Sequence, residues 1–130
     1  MPQRNDKTED MAIKAVVNFE SKQRRNATDV RHKHLGYDVK STKRIIEVKG
    51  IEKTLSDSGN WRFLQPKSAQ LLLIEEDFYI YIVDNLCQGV ENAGIYILNR
   101  EEALPFLNVK PQVSFTLRIP ADKRETFRKK

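Results

Sequence analysis

Residues 77–86, DFYIYIVDNL, set the first limit on what this chain can become. The run is rich in aromatic and β-branched side chains, which suit a pleated, packed surface, so it reads as a buried strand. A buried strand must be covered by other layers, and the flanking sequence offers them. Ile13, Val16, Val17, Glu20 and Arg24 fall at helical spacing. Ahead of them, Asp6 and Glu9 have capping-box spacing, with Asp in place of Ser or Thr. A helix is expected over residues 7–25, with Glu20 on the stripe that faces the protein body or its rim.

Further strands are expected at 37–41, 44–49, 61–64, 94–99 and 112–120, from apolar and β-branched runs bounded by turn residues. Pro66 suits the first turn of a second helix, which Ala69 to Ile74 continue. EEALPFL reads as a short helix broken near Pro105. Residues 22–34 and 51–60 are polar and read as loops. Helix, hairpin, strand, helix and strand in that order predict an α/β sandwich with a mixed central β-sheet flanked by helices. At 130 residues the chain is one domain by length, 1–130, with flexible tails expected at 1–7 and 121–130.

Charged residues make up 32% of the chain and its net charge is +5, a balance that favours an anionic partner, nucleic acid first. The single cysteine, Cys87, excludes an internal disulfide and fits a reducing compartment. No apolar run approaches a membrane span and the N-terminus is not a secretory signal, so a cytoplasmic protein with no membrane contact is expected.

The chemistry concentrates in GYDVKSTKRIIEVKG, residues 36–50. Side chains alternate along a strand, so Glu47 and Lys49 share one face while Ile46 and Val48 share the other. With Thr42 and Lys43 as the turn, Asp38 lies across from Glu47, their β-carbons about 5 Å apart. Apposed carboxylates repel unless a cation lies between them, and oxygen ligands suit Mg²⁺ or Mn²⁺. Lys49 beside them can orient a water or stabilise an oxyanion. A solvated polar hairpin face would carry the same residues, and spacing alone does not separate the two.

An acidic residue followed by Glu-x-Lys on the next strand resembles the PD-(D/E)xK nuclease superfamily. More narrowly, FESKQRRNATDV, LGYDVKS, RIIEVKG and DFYIYIVDN together resemble the NO VEIN C-terminal domain family, related to Mrr-type restriction nucleases. The resemblance covers about residues 12–85 and implies a restriction-endonuclease-like three-layer sandwich. It also implies a Mg²⁺- or Mn²⁺-dependent endonuclease, with DNA the expected target and restriction, defence or DNA processing the setting. Asp38 and Glu47 would bind the metal, with the Val48 carbonyl a further ligand, and Lys49 would position the attacking water. Glu20 would supply the helical glutamate of the first motif; an ion pair with Arg24 is the competing role. For the polar residue that the superfamily places on the following helix, Gln65, Ser68 and Gln70 compete, and Gln70 is chosen. Tyr37 stands where the nominal motif has Pro.

Lys22, Arg24, Arg25, Arg31 and Lys33 would track a nucleic-acid backbone, or form an ordinary solvated run. His32 and His34 lack a third ligand for zinc. Trp61 could stack on a base, though strand packing is the commoner role. Cys87 reads as inert, and no Gly-rich phosphate loop is present. The competing function is a nuclease-like module without turnover that binds nucleic acid or a protein partner. So small a domain leaves little surface for specificity, and a homodimer or larger partner is the expected remedy.

Overall fold

The computed structural model describes residues 6–57, 61–110 and 114–130. The chain opens with helix α1 (Asp6–Lys22), followed by strands β1 (Thr28–Asp29), β2 (Val39–Ser41), β3 (Arg44–Gly50) and β4 (Trp61–Leu64). Helix α2 (Pro66–Ile74) leads to β5 (Phe78–Asp84) and β6 (Gly94–Asn99). Helix α3 (Arg100–Ala103), β7 (Leu107–Lys110), β8 (Ser114–Arg118) and α4 (Arg124–Phe127) complete it. No helix among the described residues is long and apolar enough to cross a membrane.

The main sheet has the order β1-β2-β3-β5-β6 and is mixed, because β3 and β5 run parallel while the other pairs are antiparallel. A parallel pair needs a crossover, and β4 with α2 supplies it. β5 lies inside the sheet and is buried except at half-buried Tyr79, as its apolar run requires. A second, antiparallel sheet of order β4-β8-β7 is not hydrogen-bonded to the first but shares a core with it through Leu64 and Leu117. The sequence missed β7, so this sheet was not anticipated.

Each face of the main sheet has its own core. Ala12, Ile13 and Val16 of α1 pack with Ile46, Val48, Tyr81 and Val83 on one side. Ala69 and Leu72 of α2 pack with Phe78, Ile80, Ile82 and Leu117 on the other. The result is a sandwich-like α/β fold with helices on both faces of a mixed sheet, as expected.

Three boundaries differ from expectation. Helix α1 stops at Lys22, and Arg24 takes a left-handed φ of 61° that ends it. The expected cap rests on Asp6, whose side chain lies outside the described residues. Residues 121–130 are not a free tail. Ala121–Lys123 form a 3-10 turn, and α4 buries Phe127 edge-on against Phe106, ring centroids 5.9 Å apart. The Lys129 N–H donates to the Ile95 carbonyl at 2.8 Å. One apolar side chain at the right spacing outweighed a charged composition. At the other end, residues 1–5 of the expected tail lie outside the described residues, while residues 6–7 belong to α1.

Candidate active site

β2 and β3 pair with Val39 opposite Ile46 and Ser41 opposite Arg44, around a turn at Thr42 and Lys43. Lys43 takes a left-handed φ of 56° to make that turn. One step further along the ladder places Asp38 opposite Glu47. The β3–β5 register sets Glu47 beside Ile80 and Lys49 beside Ile82, on the face that α2 covers. Ile46 and Val48 point the other way, into the α1 core.

The three charged groups meet. Lys49 Nζ lies 2.9 Å from Glu47 Oε2. The Val48 N–H donates to Asp38 Oδ2 at 2.9 Å, which holds the Asp38 carboxyl against β3. The Asp38 carboxyl lies near enough to Glu47 to disfavour its charged form. Glu47 is buried, 5% exposed. Burial pushes its carboxyl up to about 7; the Lys49 charge opposes this and Asp38 adds to it.

These groups line a cleft of about 740 Å³ that also takes in Val48, Gln65, Lys67 and Ser68. Ser68 Oγ donates to the Gly36 carbonyl at 2.6 Å and Lys67 Nζ to the His34 carbonyl at 2.7 Å. The first turn of α2 thereby fastens the loop that delivers Asp38. Gly36 is required there: its φ is +93°, and an added Cβ would sit 2.9 Å from Leu71 Cδ1 and Lys67 Cγ.

Not every expected residue arrives. Glu20 lies on the opposite face of the sheet, fully buried among the α1 contacts. Its carboxylate takes both Arg25 Nε and Nη2 at 2.7 Å, Tyr81 Oη at 2.7 Å and Ser41 Oγ at 2.8 Å. Burial alone would raise its pKa, but these hydrogen bonds outweigh burial and hold it below the usual value. Its ion pair is with Arg25, not the Arg24 considered as its competing partner. Gln70 is exposed and outside the cleft, whereas Gln65 and Ser68 line it.

The basic segment divides. Arg31 reaches the cleft, but its guanidinium is engaged by Asp29 at 2.8 Å, Asp10 at 2.9 Å and Glu9 at 3.7 Å. Lys22, Arg24 and Lys33 are exposed and do not line it, and Arg25 is held by Glu20. His32, His34, Lys67 and two acidic residues, Glu9 and Asp29, line it instead. Sequence reasoning took Glu9 only as a cap and did not single out Asp29 or Lys67. A signal for Glu9 was its position near the start of α1, which passes the end of β3: Gly50 abuts the Thr8 carbonyl and the Ala12 side chain.

Among the described residues no three His, Cys, Asp or Glu side chains gather to hold a metal ion. A cation here would have two carboxylates and would take its other ligands from the Val48 carbonyl, water and substrate. That donor set fits Mg²⁺ or Mn²⁺, since neighbouring carboxylates repel unless positive charge lies between them. It does not fit the closed nitrogen and sulfur set of structural zinc. Trp61 forms part of β4 as expected, but its side chain lies outside the described residues.

The profile of the family described as Protein NO VEIN, C-terminal, matches residues 8–97. No curated protein and no solved structure matches the chain.

Proposed function

The chain belongs to the family of NO VEIN C-terminal domains, and from that premise we propose a divalent-metal-dependent nuclease of PD-(D/E)xK type, with DNA as its substrate. The observation that supports this most is the convergence of Asp38, Glu47 and Lys49 in one cleft from neighbouring segments of a hairpin.

Asp38 and Glu47 would hold Mg²⁺ or Mn²⁺, with the Val48 carbonyl beside them. When bound, the cation neutralises phosphate charge and lowers the pKa of a coordinated water. Glu47 would have to give up its proton to hold the cation, so the site would fill more readily as pH rises through about 7. Lys49, kept in place by Glu47, orients the attacking water and offsets charge growing on the phosphate oxygens. Lys67 and His32, on the cleft wall, present donors to flanking phosphates. Arg31, saturated by three carboxylates, braces the wall instead.

Incubation with plasmid DNA and Mn²⁺ tests the proposal. Wild type should nick or linearise the plasmid, and Lys49→Ala should lower the rate ~10²–10³-fold with binding little changed. If wild type binds DNA but does not cut it with either cation, and Lys49→Ala changes nothing, the domain is a binding module and the nuclease proposal fails.

A further inference from the structure

A second cleft, of about 530 Å³, opens on the α1 side of the sheet, across from the Asp38–Glu47 face. Arg25, Arg44, Phe19, Tyr79, Asn99 and Lys129 line it. At its base runs an unbroken hydrogen-bonded chain. Arg25 pairs with Glu20 through two bonds of 2.7 Å, Tyr81 Oη donates to Glu20 at 2.7 Å, and Arg44 Nη1 donates to Tyr81 Oη at 2.8 Å. Two guanidiniums thus share one carboxylate, which leaves one positive charge uncompensated.

That charge resides on Arg44. Among the described residues no carboxylate forms an ion pair with it; its guanidinium lies over the Tyr79 ring at 4.1 Å from the centroid. Lys129 on the rim likewise has no carboxylate partner among the described residues. One other carboxylate faces the cleft, that of Glu102, which accepts the Asn99 N–H at 2.9 Å, a bond that leaves its charge in place, so three cations still outnumber the two carboxylates of Glu20 and Glu102. A half-buried, unpaired cation is costly, and an oxyanion between Arg25 and Arg44 would relieve that cost. Around this point stand two half-buried aromatic rings, Phe19 and Tyr79, and the amides of Gln23 and Asn99. Guanidiniums for phosphate, rings for stacking and amides for base edges form the combination that recognises a nucleotide. The volume also suits one nucleotide.

We propose that this cleft is a nucleotide-phosphate site, separate from the active cleft and independent of whether that cleft cuts DNA. The phosphate sits between Arg25 and Arg44, Lys129 closes the rim, and the base stacks on Phe19. The nucleotide is either free or one unit of a strand.

The test is an amide NMR titration of the full chain with 5′-AMP, adenosine, inorganic phosphate and a short single-stranded oligonucleotide. AMP should shift Gln23, Asn99 and their neighbours saturably, and bind at least about tenfold more tightly than adenosine or phosphate alone. Lys129→Glu alters an exposed side chain and should weaken AMP at least about tenfold with an unchanged melting point. Arg44→Lys, which keeps the charge but loses the planar fork, should weaken it as well. Lys49→Ala in the other cleft should leave AMP binding intact. An oligonucleotide that binds more tightly than AMP identifies a strand as the source; equal affinity identifies a free nucleotide. Shifts confined to the Asp38–Glu47 cleft, or AMP affinity unchanged in both Lys129→Glu and Arg44→Lys, would overturn the proposal.

Discussion

Glu47 and Glu20 are both buried glutamates, one on each face of the same sheet, and they titrate in opposite senses. Glu47 has a folded pKa of about 7 against an ordinary value of 4.5. Between those values the folded chain keeps a proton that the unfolded chain has lost, so stability falls as pH rises across that window. The contribution is about 3 kcal/mol. Thermal melts from pH 5 to pH 8 should therefore show a declining midpoint, and Glu47→Gln should flatten the decline and be the more stable protein at pH 8. Glu20 is the reverse: its folded pKa is depressed, so its contribution is present above the ordinary value and is lost as pH falls through the depressed one. Glu20→Ala would strand Arg25 and the Tyr81 hydroxyl, and should cost about 3–5 kcal/mol in denaturant unfolding near neutral pH.

At the scale of elements, the hairpin was legible because two rules sufficed. A two-residue turn fixes the register, and alternation fixes the face, so Asp38, Glu47 and Lys49 follow from residues 36–50 alone. Glu20 misled because helical spacing reports that a residue faces the sheet but not which side of the sheet holds the site. The clue was nonetheless present: an apolar helix stripe packs on the apolar strand face, that of Ile46 and Val48, and so cannot meet Glu47. Gln70 failed for a different reason. Nothing in the sequence ranked Gln65, Ser68 and Gln70, whereas the loop at Gly36 docks on Ser68 and Lys67 and so selects the first turn. That docking gives a prediction. Gly36→Ala forces a side chain into a left-handed conformation against Leu71 and Lys67, and should destabilise by more than about 1 kcal/mol. The DNA cleavage proposed for this site should fall with it, since the same loop carries Asp38.

Over the whole molecule, the chain's end and its charge behave differently from what composition implies. The segment 121–130 closes the second core: Phe127 is buried, Arg128 lies over the Tyr96 ring at 5.6 Å, and Arg124 Nη1 donates to the Leu55 carbonyl at 3.1 Å. Phe127→Ala should cost about 3 kcal/mol or more, read as a lower denaturation midpoint. The +5 charge is likewise not a uniform coat. Arg25 and Arg31 are tied to internal carboxylates, so replacing them would perturb the fold as well as any nucleic-acid contact. The most direct measurement of the central claim, that Asp38 and Glu47 form a divalent-cation site, is calorimetric titration of Mn²⁺ in two buffers of different ionisation enthalpy. At pH 6 the proton held by Glu47 must leave, so about one proton should be released per cation bound; at pH 8 almost none should be; and Asp38→Asn should abolish binding. Absence of Mn²⁺ binding, or binding that is indifferent to Asp38→Asn and releases no proton at pH 6, would contradict the account.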